Sequence, residues 1–247
     1  MRHLLHIILY FWSLSLTGQN LQLHFDLQHS TVPSGTTKNH PTLYFDYFNA
    51  QDSGKHFIKP GSFLFKTQAD FTGEKNNIGK FYLQISQTFR CWRPKFFAHL
   101  QYSAGAGLTE PRQYSYYIRN TFSVGVSYPF KWGNTWLTAL ADYRMAAYNK
   151  MSHDAMVTVY WWKGLLNYKA EFSGDFSVWT ENKNQGDEAS RNMHGKRLFF
   201  FAEPQLWYKV FPKLSVGSRV SVNYHVLAST NTWQVYPSVG LRCKLEN

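Results

Sequence analysis

Along this chain hydrophobic positions recur at every second residue over unusually long stretches, and the most regular of them runs from Leu166 to Thr180. Leu166, Tyr168, Ala170, Phe172, Gly174, Phe176 and Val178 fall on one face, and Asn167, Lys169, Glu171, Ser173 and Asp175 on the other. Period two is the spacing of a β-strand, whose side chains alternate between its faces. Strands in soluble sheets are usually about 5 to 6 residues long. A run this long instead suits a stave crossing roughly 25 to 30 Å of hydrocarbon at a tilt near 45°.

The same alternation predicts strands over 21–28, 42–48, 63–71, 80–90, 96–103, 116–128, 135–146, 155–162, 166–180, 198–210, 214–224 and 233–245, about twelve in all. The predicted fold class is all-β, a transmembrane antiparallel up-and-down β-barrel. Such barrels join their strands by short turns at one end and longer loops at the other. Tight joins fall at Trp92-Arg93-Pro94-Lys95, Phe130-Lys131-Trp132-Gly133, Lys163-Gly164 and Phe211-Pro212-Lys213, with polar stretches between them at 105–113, 149–154, 181–196 and 227–232. This alternation puts both termini on the periplasmic side. The long stretch from Ala50 to Gly61 breaks it.

At the N-terminus, Met1-Arg2-His3 precedes an apolar run from Leu4 to Leu16 and small residues near Gly18. A basic start, an apolar core and a short polar exit describe a secretory signal peptide. The expected organisation is therefore a signal peptide over 1–18 and an outer-membrane barrel over 19–247, in a Gram-negative bacterium. The closing stretch, with polar Ser238, glycine two on at Gly240 and hydrophobic Cys243 and Leu245 five and seven on, is similar to the signal read by the barrel-assembly machinery, though it lacks a terminal aromatic residue.

Composition sharpens this reading. Aromatic residues make up 18% of the 247 positions, more than a soluble core needs and suited to interfacial girdles. Trp92, Trp132, Trp136, Trp161, Trp162, Tyr208 and Trp233 are assigned to such girdles. The formal charge is +11, from 26 Lys and Arg against 15 Asp and Glu. The basic residues are scattered singly along strands and turns, which argues against a nucleic-acid partner. Cys91 and Cys243 lie near the ends of strands far apart in the barrel order, so no disulfide is expected, and no metal-ligand spacing occurs.

Three stretches, Phe200-Phe201-Ala202-Glu203-Pro204-Gln205-Leu206-Trp207-Tyr208, Gln84 to Trp92 with the Arg93-Pro94 turn, and Val124 to Phe130, resemble a Tsx-like family of outer-membrane proteins. That branch is largely uncharacterised and similar to the nucleoside-specific channel Tsx. The resemblance implies a monomeric twelve-stranded barrel with a narrow pore. It does not imply nucleoside transport for this branch.

Function in such a barrel lies in what faces the lumen. Alternation places His24, Asp26, Gln28, Lys66, Gln68, Asp70, Gln84, His99, Gln101, Arg119, Asp142, Arg144, Lys169, Glu171, Asp175, Glu203, Gln205 and Arg219 inside. A narrow lumen dense with such groups selects small polar solutes. Tyr82, Tyr117 and Trp207 are candidates to stack on a flat base or sugar. Pro204 has no backbone donor, which predicts a bulge or an interrupted ladder that re-aims Glu203 and Gln205. The leading expectation is a passive channel for small polar, nucleoside-like solutes, with outer-membrane lipid as partner, no cofactor and no metal. Two alternatives stand beside it: a structural barrel with an occluded lumen, in which the charges satisfy one another, and a lipid-acting enzyme built on His225 and Ser229. Those two residues are about 13 Å apart if the strand continues.

Overall fold

The computed structural model describes residues 18–33, 38–50, 58–73, 76–90, 95–109, 114–227 and 231–245. Residues 1–17, which carry most of the proposed signal peptide, lie outside this set, as do Trp92-Arg93-Pro94, Cys91, Ser229 and the center of the Ala50–Gly61 connection. The strands are β1 (Gln19–Asp26), β2 (His40–Ala50), β3 (Lys59–Asp70), β4 (Lys80–Arg90), β5 (Phe97–Leu108), β6 (Ser115–Trp132) and β7 (Thr135–Ala146). They continue as β8 (Ser152–Leu165), β9 (Ala170–Asn182), β10 (Lys196–Ala202), β11 (Gln205–Lys209), β12 (Leu214–Tyr224) and β13 (Trp233–Lys244). A single helical turn, α1 (Gln28–Thr31), follows β1. No described helix is long and apolar enough to cross a membrane.

Consecutive strands pair antiparallel, except β10 and β11, which do not pair with each other, and β1 pairs with β13 from Asn20↔Lys244 to Asp26↔Ser238. The sheet therefore closes. Segments β10 and β11 both lie between β9 and β12, so they form one stave and the closed antiparallel barrel has twelve. Closure removes the unpaired strand edges that hydrocarbon could not solvate.

The two faces are chemically inverted relative to a soluble protein. On β1 and β13, Leu21, Leu23, Phe25, Val235, Val239 and Leu241 are exposed, while Gln22, His24, Asp26, Ser238 and Arg242 are buried. Apolar side chains thus face outward and polar ones fill the interior, as a lipid-facing wall requires. Exposed aromatics gather at the ends of the strands. Trp132, Trp136, Tyr208 and Phe211 mark the end that carries the termini, and Tyr114, Tyr117, Tyr143 and Trp233 mark the loop end.

Several sequence expectations change. The stretch beginning at Leu166 is not strand throughout, because Leu166, Asn167 and Tyr168 adopt φ of 51°, 53° and 64° and form the β8–β9 turn. The Lys169 amide closes it on the Leu166 carbonyl at 3.1 Å. Leu166 and Tyr168 continued the apolar phase only because a turn at the membrane surface also favours apolar and aromatic side chains. Lys163 and Gly164 accordingly belong to β8, not to the turn. Pro204 interrupts the ladder without a bulge: Ala202↔Phe176 and Gln205↔Ser173 keep one register on β9, and Ala202↔Val222 and Gln205↔Arg219 keep one on β12. The bulges fall elsewhere, at Ile118 in β6, opposite the Gly105/Ala106 step, and in β3 between Pro60 and Phe63.

Among the loops, 183–195 is well built. Gln185 N–H donates to the buried Ser190 hydroxyl at 2.9 Å, and Ser190 N–H donates to Asp187 at 2.7 Å. The Ser190 hydroxyl and amide together hold the Asp187 carboxyl below its usual range.

Val239 lies near the center of β13 on the outer face. Val239→Arg is expected to cost about 2 to 4 kcal/mol, the penalty of a cation at the bilayer midplane. Equilibrium unfolding in phospholipid vesicles measures it, and an unchanged midpoint would take this face out of the lipid.

Candidate functional site: the lumen

Glu203 is the hub of the interior. The Lys66 ammonium donates to its Oε2 at 3.0 Å, and Arg219 and the Tyr44 hydroxyl donate to its Oε1, each at 3.1 Å. Arg219 also lies over the Tyr44 ring, 4.1 Å from its centroid. These groups come from β2, β3, β12 and the break between β10 and β11, so the cluster spans the lumen. Because the register does not shift at Pro204, Glu203 and Gln205 face inward by ordinary alternation.

Next to this cluster the His24 imidazole stands edge-on to both Tyr44 and Trp207, with ring centroids 5.5 and 5.4 Å away. His24 bonds Ser238 through Nδ1 and Gln22 through Nε2. The rings fit because two glycines lie beneath them. A Cβ at Gly217 would meet Trp207 at 2.5 Å, and one at Gly240 would meet His24 Nδ1 at 2.8 Å. Gly240, part of the expected assembly signal, thus also has a packing reason. His24 and Trp207 are each 1% exposed.

This layer divides the lumen. On the loop side is a cavity of about 220 Å³ lined by Asp26, Lys66, Asp70, Tyr82, Gln84, Asp175, Glu203 and Arg219, among others. On the side of the termini is one of about 160 Å³, lined by Trp162, Lys169, Glu171, Trp207, Lys209, Arg242 and Lys244 among others. No residue lines both.

Most of the remaining expected lumen residues are held by other groups of the inner wall. Tyr82 donates to Gln84, which donates to Gln101 and, across the lumen, to the Tyr160 hydroxyl at 3.2 Å. Asp142 meets His99 Nδ1 at 2.8 Å, and Arg144 pairs with Glu181 at 2.8 Å while lying over the Trp179 ring. Asp70 accepts from Thr42 and Gln68, Asp26 accepts from the Gln28 amide, and Gln205 accepts from Trp207 Nε1. Glu171 is bound by Arg242 at 2.6 Å, and Arg242 lies over Trp207.

Four placements differ from expectation. Lys169 sits exposed in the β8–β9 turn, at the rim of the lower cavity rather than on the strand wall. Tyr117 is 86% exposed, because the Ile118 bulge turns it to the outer face. Trp162 shares the inward phase of Tyr160 and lines the lower cavity, stacked on Tyr168, so it is not a girdle residue. Trp207 faces the lumen but is packed beneath Arg242 and His24, not free to stack on a solute. The side chain of Arg119 lies outside the described set; its backbone pairs with Gly105.

Tyr44, Tyr160, Glu181 and Arg242 were missed. Tyr44 and Arg242 share the phase of the inward residues Thr42 and Ser238, which was the available signal.

A family profile matches residues 18–245. The chain belongs to the family described as domain of unknown function DUF5020. No curated protein matches its sequence significantly. Among solved structures, the NanC porin superposes with a TM-score of 0.52 at 11% identity, covering 92% of this chain and 100% of that one. The KdgM porin gives 0.49 at 7% identity, over 92% and 99%. At 11% identity the likeness to NanC is one of fold, and this DUF5020 member has the fold of an outer-membrane porin.

In this DUF5020 barrel Glu203 is the only carboxylate bonded to both Lys66 and Arg219 among the described residues. Removing one partner of a buried ion pair leaves uncompensated charge, so Glu203→Ala is expected to destabilise the fold by about 3 to 5 kcal/mol. Denaturant midpoints of wild type and variant check it. A loss below about 1 kcal/mol, the range of solvated surface pairs, would mean that water already screens the cluster.

Proposed function

We propose that this protein is a passive outer-membrane channel for small polar solutes, nucleoside-like molecules among the candidates, working without chemistry or cofactor. The supporting observation is a closed barrel whose interior is polar and charged and widens into a cavity at each end. In a narrow, mixed-sign lumen a solute must replace its hydration shell with wall groups, which favours small polar molecules. Tyr82 and Tyr160 in the upper cavity offer ring faces and hydroxyls to such a solute. The proposal includes export through an N-terminal signal peptide over 1–18, insertion by the barrel-assembly machinery, a monomer surrounded by outer-membrane lipid, and no nucleic-acid partner.

One observation favours a second reading, a structural barrel with an occluded lumen: the layer of His24, Tyr44, Trp207 and Glu203 separates two cavities that share no lining residue. The lipid-acting alternative is weaker. Both ring nitrogens of His225 are engaged, with the Leu198 carbonyl and Asn231 Oδ1 at 2.7 Å each, which makes it a loop anchor.

Single-channel recording of refolded protein in planar bilayers separates the readings. The channel reading expects steady conductance that nucleosides reduce, and a larger conductance in Trp207→Ala, where the dividing layer is thinned. Folded barrels that pass no current, in wild type and variant alike, would establish the occluded reading instead.

A further inference from the structure

The two cavities differ in charge. Above the dividing layer, Lys66, Lys80 and Arg219 are matched by Asp26, Asp70, Asp175 and Glu203. Below it, Lys169, Lys209, Lys244 and Arg242 face a single carboxylate among the described residues, Glu171. Glu171 is already bound to Arg242, so it neutralises one of the four cations. None of the three lysines forms an ion pair among the described residues.

Arg242 is the buried member of the group, at 6% exposure, fixed by its bond to Glu171 and by the Trp207 face. Its Nε is buried and has no hydrogen-bond partner. A guanidinium N–H left unbonded carries a desolvation penalty that an acceptor would remove. Three ammonium groups around one small recess repel one another, and low-dielectric walls focus their field on the space between them. The recess has room for on the order of five waters at about 30 Å³ each, enough for a small ion with part of its shell.

We propose that the cavity at the end carrying the termini is a binding site for a small oxyanion from the aqueous phase, held by Lys209, Lys244 and Arg242 with Lys169 at the rim. The consequence for conduction, a preference for anions over cations at that mouth, rests on the channel reading. Occupancy of the site does not.

Equilibrium dialysis of the refolded full-length chain in zwitterionic detergent, at low ionic strength, against radiolabelled inorganic phosphate measures occupancy directly. Wild type is expected to take up one phosphate per chain saturably. Lys209→Gln/Lys244→Gln should weaken this by at least about tenfold, since two nearby charges in a partly desolvated recess are removed. Lys183→Gln, which removes a charge from the loop at the opposite end, should leave it unchanged. Circular dichroism and heat-modifiable gel mobility verify that the variants fold, and the single variant Lys209→Gln serves if the double variant does not. Absence of saturable uptake, or equal weakening by Lys183→Gln, overturns the site and leaves only the general attraction of a basic protein. Bilayer reversal potentials in a salt gradient keep the two proposals apart. Phosphate uptake by barrels that pass no current supports the site and overturns the channel, while current without uptake overturns the site and leaves the channel.

Discussion

Every backbone amide and carbonyl within hydrocarbon must find its partner inside the protein, because the bilayer core offers none. The architecture follows from that constraint. Twelve staves and a β1–β13 seam satisfy it by closure. Even the break at Glu203-Pro204 conforms: Glu203 N–H reaches the Asp175 carbonyl at 2.9 Å and the Pro204 carbonyl accepts from Val220 at 3.0 Å. Proline removes one donor there, and the flanking bonds continue in unbroken register.

Closing the ring creates the second constraint. The inward phase of every strand is confined to a narrow polar space, where charges must be paired or hydrogen-bonded to be tolerated. Glu203 meets this need for Lys66 and Arg219, and Gly217 and Gly240 make room for the rings of Trp207 and His24. The same packing that stabilises the interior narrows it.

The two ends are unlike. Loop-side residues balance their charges, and the ordered loop at 183–195 packs against 149–150 through the Lys150 amide on the Gln185 carbonyl. At the other end, the β8–β9 turn and the ends of β11 and β13 bring Lys169, Lys209 and Lys244 to one rim. The inward register of β11 and β13 aims Lys209 and Lys244 at the recess, and the solvated β8–β9 turn carries Lys169 at its rim.

Alternation alone determined the barrel, the strand order and most of the inner face, from Gln22-His24-Asp26 to Glu171 and Asp175, because a two-residue period is a local property of the backbone and lipid enforces it on every stave. It failed where another local cause imitates or shifts that period. Leu166 and Tyr168 keep the apolar phase through a turn, and the single extra residue at Ile118 sends Tyr117 outward. Local pattern also could not say which inner residues meet. Tyr44 and Glu203 are 159 positions apart, and Lys66 and Glu203 are 137 apart. Their contact exists only once the ring closes and opposite walls face each other. The dividing layer, the two cavities and the cationic recess were therefore decided by the tertiary structure, since proximity across a lumen depends on the circumference and register of the whole barrel.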